Sequence, residues 1–263
     1  MLATLALVCA ILSGLLMIFE DALIYFPTRG GRVTAPGQDL WLRAEDGVKL
    51  HAFHSGPDDA EHTLLYLHGN AGNLAGRSEV IEFLARLGVG VLALDYRGYG
   101  QSGGKPSESG LYADARAAYA WLRERGAPER IVVFGESLGG GPACELALHH
   151  PIGGLVLHSA FTNIPDMAAL SFPWLPVRYL ARTRFDNLAK IARIEAPKLL
   201  VHSRRDEVVP FAMSERLLRA AGPPVQHLWL EHSLHNDAYY VEARRLGQAM
   251  RAFIASLPLP GKR

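Results

Sequence analysis

Between residues 63 and 256 short apolar runs alternate with stretches of helical spacing, and this rhythm constrains the fold more than any other feature of the chain. Thr63–Leu67 and 89–94 are apolar runs of strand length. Residues 77–87 carry Val80, Ile81, Leu84 and Leu87 at the spacing of one helix face, and 111–125 carry Leu111, Ala115, Ala118 and Leu122 likewise. Strand-like runs recur at 130–134, 155–157, 199–202 and 226–230, separated by helix-capable stretches at 138–149, 211–221 and 237–256. A strand buried on both faces loses the polar alternation of a half-exposed one, and crossovers of about 10–15 helical residues return the chain in the same direction. The pattern predicts an α/β fold, a mostly parallel central sheet with helices on both faces. At its start, 41–43 and 48–54 read as a hairpin closed at Asp46-Gly47. Residues 161–197 break the rhythm with Pro165, Pro173, Pro176 and Pro197, and read as a small lid insertion over the sheet's C-terminal edge.

The first nineteen residues are a different material. They hold no charged side chain, and only Thr4, Ser13 and Gly14 fall outside the hydrophobic set. As a helix they would span roughly 28 Å, close to the hydrocarbon thickness of a bilayer. A cleaved signal peptide wants a basic leading region and a small-residue cleavage site, and no Lys or Arg precedes Arg29. The expectation is an N-terminal transmembrane helix over 1–19, ahead of a cleaved signal peptide or a buried core helix. A linker follows at 20–39, the main domain at 40–256 and a tail at 257–263. Arg29, Arg32 and Arg43 follow the apolar run and none precedes it, which places the main domain on the cytoplasmic side. Removal of 1–19 is expected to leave a soluble, active domain. The 27 basic and 26 acidic residues nearly cancel, with no long run of one sign, which argues against a nucleic-acid partner. Two cysteines, Cys9 and Cys144, are too few for a disulfide framework or a zinc knuckle.

Gly135-Glu136-Ser137-Leu138-Gly139 fits G-x-S-x-G and sits between a strand-like run and a helix-capable stretch. So sharp a turn leaves no room for side chains at 135 and 139, and it lifts the Ser137 hydroxyl clear of the sheet at a helix N-terminus. Ser137 is the candidate nucleophile. Set beside it, His68-Gly69-Asn70-Ala71-Gly72-Asn73, Asp95-Tyr96-Arg97-Gly98-Tyr99-Gly100-Gln101-Ser102, Asp206-Glu207-Val208-Val209-Pro210 and His235-Asn236-Asp237 form a series of ordered blocks.

These blocks resemble the α/β-hydrolase superfamily. They are most similar to the membrane-anchored serine hydrolases grouped with depalmitoylase-like and bud-emergence-type hydrolases. The resemblance covers nearly all of 40–256 and implies the α/β-hydrolase fold with triad order Ser, acid, His. Asp206 and His235 each follow a strand, on loops at the edge where such sheets keep their sites. His232 and Glu207 are the rivals for base and acid, and the block match favours His235 and Asp206. Oxyanion donors are then the backbone N–H of Leu138 and, from the loop after Thr63–Leu67, that of Asn70 or its neighbour Ala71. His68 is expected to bond backbone and hold this loop. Asp95 is expected to pair with Arg97 or bond loop amides, Asp237 to cap the last helix, and Cys144 to be a buried hydrophobe. Phe161, Met167, Leu170, Phe172, Trp174, Leu175 and Tyr179 offer an apolar surface for an acyl chain or simply pack the lid.

The activity so implied is hydrolysis of a carboxylic ester or thioester through an acyl-serine intermediate, on small-molecule, lipid-like or acylated substrates, with no metal or organic cofactor. An acyltransferase or amidase using the same residues is the first alternative, because the pocket chooses the acceptor and leaving group. A non-catalytic, membrane-linked binding module is the second. Depalmitoylases of the group tend to carry an N-terminal cysteine cluster, and here only Cys9 stands in that region.

Overall fold

The alternation seen in the sequence folds into one eight-stranded sheet in a computed structural model that describes residues 2–57 and 59–259. Two helices come first, α1 (Leu2–Ile18) and α2 (Glu20–Ile24). The hairpin strands β1 (Gln38–Arg43) and β2 (Lys49–Ser55) lead into β3 (Thr63–Leu67), α3 (Ser78–Ala85), β4 (Gly90–Leu94) and α4 (Glu108–Arg123). Then follow β5 (Ile131–Glu136), α5 (Gly140–His149) and β6 (Gly154–His158). The 161–197 stretch, expected from the sequence to be a lid, holds α6 (Ile164–Ser171), α7 (Val177–Leu180) and α8 (Asn187–Ile191). The chain closes with β7 (Lys198–Ser203), α9 (Phe211–Ala220), β8 (Val225–Leu230), α10 (Ala238–Val241) and α11 (Ala243–Ala255).

Strand order is β1-β2-β4-β3-β5-β6-β7-β8. β2 pairs antiparallel with both β1 and β4, and every pairing from β4 through to β8 is parallel. Side chains alternate across this sheet, so each strand feeds two cores. Ile131 and Val133 of β5 pack with Leu111 and Ala115 of α4 and Leu146 of α5. Val132 and Phe134 face the other way, onto Ile81 and Leu84 of α3 and Leu246, Met250 and Phe253 of α11. Full burial of each such side chain contributes about 1.5–3 kcal/mol, which is what keeps the sheet's edge rigid enough to hold a site.

The order places the site. From β3 the chain crosses to β4 on one side, then returns to lay β5 on the other, so the connections diverge at the carboxyl ends of β3 and β5. Such a switch point leaves a crevice between the loops. Leu67 lies opposite Gly135 in the β3–β5 register, which brings the loop starting at His68 alongside Ser137.

The N-terminus differs from the expected transmembrane helix. Helix α1 ends at Ile18 after 17 residues, and among the described residues no helix is long and apolar enough to cross a membrane. At about 1.5 Å per residue it spans about 26 Å. Two residues past its end stands Glu20, a buried carboxylate that accepts the backbone N–H groups of Arg182 (2.9 Å) and Thr183 (2.7 Å) and so ties this segment to the protein. Residues 20–39 are likewise not free chain: Thr28 N donates to Gly72 O (3.0 Å), Gly72 N to Phe26 O (3.2 Å), and Gly100 N to Thr28 O (2.8 Å).

Candidate active site

Tight sterics set the turn after β5. A Cβ on Gly135 would lie 2.6 Å from the Ala143 Cβ, and one on Gly139 would lie 1.9 Å from the Leu67 carbonyl oxygen of β3. No side chain fits at either position, and the two glycines let the elbow press against its neighbours. Ser137 itself sits at φ +51°, a left-handed conformation that costs a non-glycine residue roughly 1–3 kcal/mol. That backbone turn aims its hydroxyl at the loop after β8.

There the His235 ring bridges two partners. Its Nε2 lies 3.2 Å from Ser137 Oγ, and its Nδ1 lies 2.8 and 2.9 Å from the two carboxylate oxygens of Asp206. All three side chains are largely or wholly buried. With Nδ1 facing a carboxylate, the neutral ring carries its proton there and leaves Nε2 free to accept from the serine. Burial pushes the Asp206 carboxyl up, but its hydrogen bond to His235 and the Val209 N–H outweigh this and leave it below the ordinary value. Asp206 Oδ1 also accepts from the N–H groups of Val208 (3.0 Å) and Val209 (2.7 Å), so the carboxylate is fixed by its own loop.

The rivals named from the sequence lie elsewhere. The Glu207 carboxylate accepts the His235 backbone N–H at 2.9 Å rather than its ring. His232 is exposed, and its backbone N–H donates to Glu242 at 2.9 Å. His68 bonds backbone as expected, Nδ1 to Gly69 O at 2.6 Å. Asp95 takes the Leu74 N–H (2.9 Å) and the His51 ring (3.0 Å), whereas Arg97 pairs with Asp114 and Asp46 instead. Asp237 accepts the preceding Leu234 N–H at 2.6 Å and makes no side-chain cap to the helix that follows. Cys144 is buried, and burial pushes its thiol up to about 12. Among the described residues no group of three or more His, Cys, Asp or Glu side chains is placed to hold a metal ion.

Several supporting residues carry no local sequence signal. His202, wholly buried on β7, donates from Nε2 to Val209 O (2.9 Å) with Asp206 Oδ2 at 3.2 Å, while Ser214 Oγ lies 2.6 Å from its Nδ1. Glu136, next to the candidate nucleophile, accepts from the hydroxyls of Tyr66 (2.7 Å) and Tyr239 (2.9 Å). Burial raises its pKa, but the nearby Arg77 guanidinium, His158 and the two tyrosine hydroxyls together outweigh that and leave it below the ordinary value, so it stays charged beneath the elbow. Arg77 also donates to Ala71 O at 2.8 Å, holding the loop that carries Asn70.

Glu242 holds the loop that carries His235. Its carboxylate accepts from the N–H groups of Glu231, His232 and Ser233 and from the Ser233 hydroxyl. Burial works against the charge, but those donors prevail and hold the carboxyl down at about 2, against an ordinary 4.5. The stabilisation is therefore complete above about pH 4.5 and is lost as pH falls toward 2. Glu242→Ala is expected to lower the unfolding free energy by about 2–3 kcal/mol at neutral pH. Denaturant unfolding should show the gap to the parent narrowing below about pH 4.5; a gap constant down to about pH 3 contradicts this role.

An apolar cavity of about 280 Å³ opens beside Ser137, lined by Asn70, Leu138, Val208 and Val209 from the sheet edge and by the lid. Of the lid residues named from the sequence, Phe161, Met167 and Phe172 face this cavity. Leu175 is buried, and Leu170, Trp174 and Tyr179 are exposed.

The family model for the alpha/beta hydrolase fold matches residues 62–241. The chain is 37% identical over 278 residues to an uncharacterised protein of Mycobacterium tuberculosis, covering 99% of this chain and 97% of that one. It is 37% identical over 182 residues to the alpha/beta hydrolase domain-containing protein 17B of Homo sapiens, covering 68% of this chain and 62% of that protein. An esterase of Pyrococcus furiosus superposes with a TM-score of 0.73 at 24% identity, over 88% of this chain and 99% of that one, a likeness of fold. The chain belongs to the alpha/beta hydrolase fold family.

Proposed function

We propose that this protein is a serine hydrolase that cleaves carboxylic ester or thioester bonds through an acyl-serine intermediate. The observation that supports this most is the unbroken chain of contacts from Ser137 Oγ through His235 to Asp206 (3.2 Å, then 2.8 Å). In this reading His235 Nε2 takes the hydroxyl proton as Oγ attacks the substrate carbonyl carbon. Asp206 keeps the imidazole in the right tautomer and stabilises the imidazolium. Negative charge gathers on the carbonyl oxygen, where the backbone N–H groups of Leu138 and Asn70 receive it; each such donor is worth about 10²–10³ in rate. As the tetrahedral intermediate collapses, the imidazolium returns the proton to the departing alcohol or thiol. Water then repeats the sequence on the acyl-serine, His235 taking its proton, and frees the acid.

The apolar cavity beside Ser137 favours a substrate with a hydrocarbon portion. The outer side of α1, with Val8, Ile11, Leu15 and Ile18 exposed, suits contact with a lipid surface rather than passage through it.

Labelling with a fluorophosphonate, alongside a p-nitrophenyl ester series and one acyl-thioester, tests the reading. We expect one label per chain, with hydrolysis of both substrate kinds blocked in proportion to labelling. Transfer of the acyl group to an added alcohol or amine in preference to water would make the protein an acyltransferase. Absence of both labelling and turnover would leave only a binding role.

A further inference from the structure

The cavity beside Ser137 has two walls, and only one belongs to the lid. The other is the N-terminal segment: Ser13, Leu16 and Met17 of α1 and Glu20, Leu23 and Ile24 of α2. This wall is fastened at two points in its second half. At one, the buried Glu20 carboxylate takes the N–H groups of Arg182 and Thr183 and pairs with the Arg182 guanidinium at 3.0 Å, while the same guanidinium donates to Met17 O at 2.9 Å. A carboxylate left unpaired in that position would be costly, so these partners fix where α2 lies against the lid. At the other, the Asn70 amide donates to Ile24 O and its oxygen accepts the Phe26 N–H at 3.1 Å. One segment thus joins the lid to the loop that bears a proposed oxyanion donor.

We propose that residues 13–24 are a specificity-determining element of this hydrolase: they form the wall along which the acyl chain of the substrate lies, and Glu20 latches that wall to the lid. The inference rests on the reading of Ser137 as the nucleophile. It recasts the apolar N-terminus, expected from the sequence to serve as an anchor, as part of the substrate site. Removing 1–19 then alters which esters are cleaved rather than leaving the domain unaffected.

Position 16 offers a test with two opposite signs, carried out on the full chain with p-nitrophenyl esters from acetate to laurate. In the parent, kcat/KM is expected to rise about fourfold per added methylene until the cavity is full. Leu16→Trp shortens the cavity and should lower the decanoate-to-acetate ratio of kcat/KM by about tenfold or more. Leu16→Ala lengthens it and should move the optimum to a longer chain. Ile11→Trp, on the exposed face of α1, should leave the ratio within about twofold. A variant that merely misfolds loses all substrates together and cannot move the optimum upward. Chain-length profiles that stay put in both Leu16 variants, or shift equally in Ile11→Trp, overturn the proposal. Retained turnover in Ser137→Ala would instead overturn the underlying assignment of the nucleophile, whatever the Leu16 variants do.

Discussion

Ser137→Ala should reduce kcat by about 10⁶-fold while the protein folds and melts as the parent does. The size follows from how such a unit works: with the nucleophile gone, base and acid have nothing to activate, and only the oxyanion donors and the pocket continue to help. The fold should survive because the change removes one oxygen whose recorded partner is the His235 ring. The left-handed backbone at φ +51° is the same for serine and alanine, so the strain is neither added nor relieved. Stopped assays on purified variants, with thermal melts in parallel, check both halves. Activity within tenfold of the parent would mean that another group attacks the substrate. A melting point far below the parent would mean that the hydroxyl helps hold the elbow together.

Asp206→Asn should cost on the order of 10⁴ in kcat. An amide in place of the carboxylate can present N–H to His235 Nδ1 and drive the ring proton onto Nε2, where it faces Ser137 as a donor and can no longer accept. Loop geometry should persist, since an amide oxygen still accepts from the Val208 and Val209 N–H groups. Glu207→Gln is the matching control: its oxygen can still take the His235 backbone N–H, so the loss should stay within about tenfold. The reverse pattern would exchange the two acids. The carboxyl of Asp206 sits below the ordinary aspartate range. It therefore stays ionised as pH falls through that range, and an acid limb of the rate profile near neutral pH belongs to another group.

The parts of this architecture that were legible from residues alone are those governed by local or periodic rules. The elbow could be read because Gly135 and Gly139 answer to steric contacts within a few residues and one strand away. The sheet could be read because strands buried on both faces become continuous apolar runs, as in β3 and β4. Asp206 and His235 lie just past strands, but so do Glu207 and His232, and it is the family resemblance that separates the pairs. What could not be read depends on pairings between distant segments. Glu20 and Arg182 are 162 positions apart, and nothing near either announces the other. An apolar run that lines a cavity and one that enters lipid have the same composition, so the sequence of α1 alone points to an anchor. Glu242 has no local signal, because the three backbone N–H groups it accepts belong to residues 231–233, in a loop ahead of the helix. In the lid the helices are short, and their apolar residues gave no periodicity long enough to separate Phe161 and Met167, which face the cavity, from Trp174 and Tyr179, which face solvent.

The most direct measurement is the mass of the protein caught in mid-turnover. The chain is mixed with p-nitrophenyl octanoate, quenched in acid within the first turnovers, and digested for peptide mass mapping. An octanoyl group found on Ser137, formed in step with a stoichiometric burst of p-nitrophenol, is the predicted result. Turnover at full rate with that peptide unmodified, or with the acyl group seated on another side chain, would contradict the account at its root.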